Sequence, residues 1–323
     1  MKKLSAAGFT AMIGFGAFQA GAADGDIRVG DAASYKGLTI FPITNRGAID
    51  TTNYVSFDEA QKAGKVSVTE RGNKSESAQV EEVFVSNASS RPLYLVGGEV
   101  ILGGKQDRVI REDVVVPPLS QNFRVKVFCV EQGRWNGRSM AFRASDQMIH
   151  GKIREEAALG TQGDVWRGVA MSARKLKTTL SGGGSYRGVI DDRNVGAKSS
   201  EYVRALAPLL SSARTVGMIV AVGGRLIAVD VFQSPRLFAR TRDKMIRSYA
   251  IQAIEAGGVA SAEPSRSDAG GFFRDAMTAK PVAAPAALDA SGSNAKYDDD
   301  KVKGTERKAK DGKWLHKSIY KKY

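Results

Sequence analysis

Residues 93–130 read LYLVGGEVILGGKQDRVIREDVVVPPLSQNFRVKVFCV, and the fold class follows from them. Leu93–Val96, Val100–Leu102 and Val109–Val116 are short, β-branched apolar runs. Gly97-Gly98 and Gly103-Gly104 punctuate them, too closely for helices to intervene. Phe123–Val130 closes the series with near-perfect alternation of apolar and polar residues, the period of a half-buried strand. Strands joined by turns this short pair antiparallel. Working upstream, Val80–Ser86 and Val66–Thr69 alternate in the same way, and Ser56 caps a short helix over Phe57–Ala63. Leu38–Ile43 is a first strand, and Pro42 predicts an edge position or a strand end, since it has no N–H to donate. Downstream the period lengthens. Met148, Ile149, Ile153 and Ala157 mark a helix beginning near Asp146. Val165, Val169, Ala173, Leu176 and Leu180 mark a second, and a third runs over Ser200–Leu210. A hairpin, Val216–Val222 with Leu226–Phe232, turns at Gly223-Gly224. Ser234-Pro235 then opens a helix that ends at Gly257-Gly258. Strands, then helices, then a late hairpin and helix predict an α+β fold: a mainly antiparallel β-rich N-terminal half packed with C-terminal helices.

The chain has 323 residues, of which 42% are hydrophobic and 25% charged, which excludes a wholly disordered, collagen-like or polytopic membrane protein. A single cysteine, Cys129, forbids an internal disulfide or a cysteine zinc cluster, and two histidines exclude HExxH and three-histidine zinc sites. Lys2-Lys3, the apolar stretch Leu4–Phe18 and Ala20-Gly21-Ala22 read as an export signal cleaved near Ala22/Ala23, giving a periplasmic or secreted protein. Residues 23–257 form the expected domain. Residues 258–295, rich in Ala, Pro, Ser and Gly, read as a disordered linker, and residues 296–323 as a basic tail carrying Trp314, Tyr320 and Tyr323. With 48 Lys and Arg against 34 Asp and Glu, the net charge of +14 favours an anionic small molecule or, through the tail, an envelope or membrane surface. The sequence gives no support for a nucleic-acid partner.

Chemistry is fainter. Two polar bends adjoin strands: Gly97–Arg108, with Glu99, Gln106, Asp107 and Arg108, and the turn after Cys129-Val130, with Glu131, Arg134 and Trp135. Arginines can grip a phosphate or carboxylate bidentately, an indole can stack on a ring, and carboxylates can accept from hydroxyls. The same residues also suit ordinary polar turns with surface ion pairs. Gly103-Gly104-Lys105-Gln106 lacks the Ser or Thr of a phosphate-binding P-loop, and Gly182–Gly188 does not fit a dinucleotide fingerprint. His150 reads as a structural histidine rather than a base, Cys129 as a small core residue, and Asp230 as a solvated position between Val229 and Val231. No metal ligand set and no cofactor can be named.

Taken together, several motifs resemble the ARPP-1 domain, the ARG and rhodanese-phosphatase-superfamily-associated protein family, over about residues 30–257. They are Phe41-Pro42, the Gly-Gly-Glu…Gly-Gly…Gln-Asp-Arg stretch, Cys129–Trp135, and Val229–Pro235 with Tyr249. The resemblance implies association with ADP-ribosylglycohydrolases and phosphatases, and recognition or metabolism of NAD-derived or ADP-ribose-like compounds. It also implies that Glu99, Gln106, Asp107, Arg108, Glu131, Arg134 and Trp135 occupy the family's recurrent positions. Three readings follow: a module binding an anionic nucleotide- or ADP-ribose-like ligand; a hydrolase using Glu99 with Glu131 or Asp107; and an envelope scaffold working through its tail.

Overall fold

A computed structural model describes residues 27–48, 53–70, 81–132, 139–178, 185–259, 262–282, 286–289 and 291–323. The segment expected to be an export signal, residues 1–22, lies outside them. The chain begins with β1 (Ile27–Val29), β2 (Ala33–Tyr35), β3 (Leu38–Asn45), β4 (Val55–Ser56) and α1 (Phe57–Lys62). At α1, Ser56 accepts from the Glu59 N–H while the Glu59 carboxylate accepts from the Ser56 N–H, a reciprocal capping box. Eight strands follow: β5 (Val66–Glu70), β6 (Glu82–Asn87), β7 (Leu93–Leu95), β8 (Glu99–Gly103), β9 (Arg108–Ile110), β10 (Val114–Val116), β11 (Ser120–Cys129) and β12 (Ala141–Met148). Six of them close a barrel in the order β11-β6-β5-β12-β8-β9, and β10, β7 and β4 make a small separate sheet. Val83, Val85, Ile101, Ile110, Val125 and Val127 fill the barrel. The helices come next: α2 (Gly151–Leu159), α3 (Gln162–Leu176), α4 (Arg187–Ile190) and α5 (Arg193–Leu206). Ile153, Val165 and Val169 of α2 and α3 cover Val100, Val109 and Phe128. Then come β13 (Thr215–Val222), β14 (Arg225–Phe232), α6 (Pro235–Glu255), α7 (Arg266–Thr278), β15 (Ala286–Asp289), β16 (Gly292–Asp298), β17 (Val302–Ala309) and β18 (Trp314–Lys321).

The second sheet is antiparallel throughout, in the order β1-β3-β13-β14-β18-β17-β16-β15, with β2 also on β3. Helices cover both its faces. Met218, Val220, Ala228 and Phe232 meet Phe238, Met245, Ile246 and Tyr249 of α6, while Phe41, Ile219, Val229, Val231 and Ile319 meet Phe272 and Ala276 of α7. The α+β expectation holds. No described helix is long and apolar enough to cross a membrane.

Three details differ from the expectations. β3 is an interior strand. Pro42 is tolerated because its carbonyl accepts from Gly30 N–H (2.8 Å) where the neighbour changes from β1 to β2, so the missing N–H falls at a break in the ladder. Asp146 and Met148 belong to strand β12, which closes the barrel against β5 and β8; the helix starts only at Gly151. Val109–Val116 is two strands, because Arg111-Glu112-Asp113 carries the chain from the barrel to the small sheet.

The largest correction concerns the described residues of 258–323, which form a helix and strands rather than a disordered linker and a basic tail. A Ser265–Asp268 capping box starts α7, which buries Ala269, Phe272 and Ala276. β18 pairs with β14 from Ala228–Tyr320 to Phe232–His316, and with β17, so the segment's end lies in the middle of the sheet. Composition hid this because the segment supplies few large apolar groups and its strands carry lysines. Several of those lysines are tied internally: Lys301 to Asp275, Lys303 to Glu155, Lys317 to Glu306 and Lys322 to Asp298. The premise of a free basic tail is therefore removed.

A chain ending at residue 261 loses α7 and β15–β18 and exposes the ladder edge of β14. We expect it to lack the cooperative thermal transition of the full chain, as followed by near-ultraviolet circular dichroism. A comparably cooperative truncated domain would show that residues 262–323 are dispensable for folding.

Candidate functional site

At one end of the barrel the glycine turn after β8 builds a charged cluster. Gly103 (φ +126°) and Gly104 (φ +54°) reverse the chain, and a Cβ on Gly104 would lie 2.5 Å from Glu70 Oε1. The turn delivers Lys105 N–H to Glu70 Oε1 (2.7 Å), while Gly103 N–H donates to Asp107 Oδ1 (2.8 Å). The second bend joins here. Asp107 N–H donates to Glu131 Oε2 (2.9 Å), and Gln106 Nε2 to the Glu131 carbonyl (2.9 Å). Arg108, fully buried, donates from Nη1 to the Gln106 carbonyl (2.7 Å) and faces Glu70 Oε1 with Nη2 at 3.4 Å. A third segment completes the cluster. Tyr186 N–H reaches the Val130 carbonyl (2.9 Å), and Arg187 grips Asp107 bidentately, Nε to Oδ2 at 2.8 Å and Nη2 to Oδ1 at 2.6 Å. The bond to Asp107 raises the Arg187 pKa against the effect of burial.

Gln106, Asp107, Arg108 and Glu131 are thus brought together, joined by Glu70 and Arg187, which sequence reasoning did not select. Arg134 and Trp135 fall outside the described residues. Glu99 is not in the cluster. It starts β8 while the glycine turn ends it, roughly 13 Å away at the usual rise per residue. There it accepts from Val96 N–H (3.0 Å) and pairs with Lys244 (3.0 Å), which also binds Asp58 (2.6 Å). Burial pushes the Glu99 carboxyl up despite Lys244.

A second buried network lies where barrel, helices and sheet meet. Asp230 is fully buried, not solvated, and both its oxygens lie 2.7 Å from Arg154 Nη2. Arg154 also donates to Tyr249 Oη (2.7 Å), Ser318 Oγ (3.1 Å) and Tyr320 Oη (3.1 Å). Gly98 is required at this point: its φ is +97°, and a Cβ there would lie 2.5 Å from Arg154 Cδ. Gly97 N–H donates to Asp113 Oδ1 (2.7 Å), whose other oxygen binds Tyr94 Oη and His316 Nδ1, each at 2.6 Å.

His150 is the N-cap of α2 and buried; its Nε2 lies 3.2 Å from Glu255 Oε1, and burial lowers its pKa. Cys129 is buried and burial raises its thiol pKa, so it is held as a thiol. Among the described residues, no group of three or more His, Cys, Asp or Glu side chains is placed to hold a metal ion.

Of the two networks, the barrel end is the one that reaches solvent, through Arg187, whose side chain is 33% exposed. A planar guanidinium is fixed there by one carboxylate, with further carboxylates and amides behind it, an arrangement able to orient a polar group. Among the described residues, Arg108 Nε and Glu70 Oε2 are buried without a hydrogen-bond partner. Arg108→Met should therefore destabilise the fold by about 3–5 kcal/mol in denaturant titrations, because it strands the Glu70 charge. Glu70→Met combined with Arg108→Met should recover much of that loss. An additive double variant would show that the two side chains are not coupled.

The chain matches no curated protein and no solved structure in the comparisons made. A family model described as the ARG and Rhodanese-Phosphatase-superfamily-associated Protein domain, ARPP-1, matches residues 26–320. That span takes in the barrel, the helices and the sheet through almost all of β18, so α7 and the last strands are part of the domain itself. The chain belongs to the ARPP-1 family.

Proposed function

We propose that this protein is a binding module for an anionic small molecule of the nucleotide or ADP-ribose class, and that the ligand engages the charged barrel end. The observation that carries the reading is the convergence of three sequence-distant segments on Asp107: its own turn, Glu131 after β11, and Arg187. Arg187 reaches solvent, and the part of its guanidinium not committed to Asp107 offers a cation to a phosphate. Arg134 and Trp135, two and three residues beyond the described Gln132, supply a further cation and a stacking ring in this reading. The family description, with its ARG and phosphatase association, supports the same ligand class. The N-terminal Lys2-Lys3, apolar and Ala-Gly-Ala pattern supports action outside the cytoplasm, after cleavage near Ala22/Ala23. The hydrolytic reading is weaker, because Glu99 lies at the other end of β8 from Asp107 and Glu131 and is engaged by Lys244.

The test is a thermal-shift series on the full chain with ADP-ribose, NAD, AMP and neutral sugars. A ligand at about a hundred times its Kd stabilises the folded state by about 2.7 kcal/mol. The expected result is a rise in Tm with ADP-ribose or a nucleotide and none with sugars, abolished by Arg187→Ala and weakened by Arg187→Lys. A flat response across the phosphate-containing ligands overturns the reading.

A further inference from the structure

The segment Arg111–Val115, which is the link out of barrel strand β9 and the start of β10, pairs with β7 at its far end and is fastened to residues 291–296 and β18 by side chains. Asn294 Nδ2 donates to Glu112 Oε2 (3.0 Å) and to the Asp113 carbonyl (3.1 Å), Ser291 Oγ to the Val115 carbonyl (2.5 Å), and Lys296 lies 3.6 Å from Glu112. At the centre is His316 on β18, 3% exposed and stacked on Phe232 with ring centroids 3.8 Å apart. Its two ring nitrogens face two different carboxylates: Nδ1 is 2.6 Å from Asp113 Oδ2 on the loop, and Nε2 is 3.4 Å from Asp230 Oδ1 on β14, an ion-pair rather than hydrogen-bond distance. A neutral imidazole has one N–H and cannot present a proton to both; the imidazolium can.

We propose that His316 is a protonation-dependent latch: its charged form links Asp113 of the Arg111–Val115 segment and Asp230 of β14 at once, and deprotonation leaves at most one of those two links, loosening that segment. The charges around it favour this role. Asp113 and Asp230 attract the imidazolium directly. Arg154 on α2 neutralises much of Asp230, with Tyr249 of α6 and Tyr320 of β18 completing that shell. Tyr94 of β7 donates to Asp113. Arg307 of β17, the cross-strand neighbour of His316, is a like charge and opposes protonation, but has contacts of its own, including Ser291 Oγ at 3.0 Å. The balance falls to the carboxylates. Burial alone would lower the His316 pKa, yet the two aspartates raise it to about 9, while Asp113 and Asp230 are held below the usual carboxylate range. The latch contribution is therefore complete below the unfolded histidine value near 6.5, and is lost as pH rises through about 9. On the acid side the aspartate contributions persist down to the unfolded carboxylate value and fade below it. The latch is tightest in mildly acidic solution. Because β9 joins Arg108 to this segment, loosening it relaxes the strand that carries the barrel-end cluster.

Hydrogen–deuterium exchange on the full chain between pH 6 and pH 9.5, corrected for intrinsic exchange rates, tests the latch. In the wild type, peptides covering residues 108–116 should lose protection by up to about tenfold per pH unit above 6.5, while strands 215–222 and 225–232 hold theirs. In His316→Gln and in Asp113→Asn, the 108–116 peptides should be weakly protected at both ends of the range and insensitive to pH. Carbon-13 chemical shifts of the wild-type imidazole, which need no variant to fold, should show His316 doubly protonated at pH 7.5. A neutral His316 at that pH, a flat wild-type profile over 108–116, or an equal loss of protection in every segment would each overturn the proposal.

Discussion

Arg154 sits where the barrel, the helical layer and the nine-stranded sheet touch, and a guanidinium buried there is costly unless its charge and most of its donors are met. Asp230 meets the charge, and Tyr249, Ser318 and Tyr320 take further donors. Those partners come from β14, α6 and β18. Satisfying one side chain of α2 therefore fixes the relative positions of three elements that have little else in common along the chain. Gly98 belongs to the same constraint, since any side chain there would occupy the space of the Arg154 stem. Apolar packing on both faces of the sheet supplies most of the cohesion, but it is non-directional; the ionic centre sets the register of the parts.

The motifs singled out in this sequence divide between two tasks. Gly97-Gly98-Glu99, Asp230 and Tyr249 assemble the interior: Gly97 holds Asp113, Gly98 admits Arg154, Glu99 pairs with Lys244, and Asp230 and Tyr249 close around the guanidinium. Gly103-Gly104 and Gln106-Asp107-Arg108, with Glu131, assemble the barrel end, where Arg187 reaches solvent. Motif residues that lie next to one another in the sequence thus serve opposite ends of one five-residue strand, β8. Adjacency along the chain made Glu99 look like a partner of Asp107, and the length of an extended strand separates them.

How legible each feature was depended on how local its cause is. The Ser56, Ser234 and glycine-turn boundaries were readable because caps and turns are set by neighbours within a few residues. β12 was not, because Met148 and Ile149 suit a helix period as well as a strand end, and only closure against β5 and β8 decides between them. Asp230 between two valines looked like the solvent side of an alternating strand, but a sheet with helices on both faces has no solvent side at its centre. Glu70 and Arg187 gave no usable signal. Glu70 ends an ordinary alternating strand and Arg187 follows a glycine-rich stretch, and each acquires its role only from partners 38 and 80 residues away.

By itself, the sequence determined the fold class, the antiparallel character of the strands, most helix and turn boundaries, and the family, because these follow from short-range periodicity and from motifs that survive as strings. Tertiary structure alone decided how the C-terminal segment completes the domain, with β18 beside β14. It also decided which charged residues share a cluster. The physical reason is that pairing between distant strands and the compensation of buried charge depend on what the rest of the chain places opposite, and no local pattern records that.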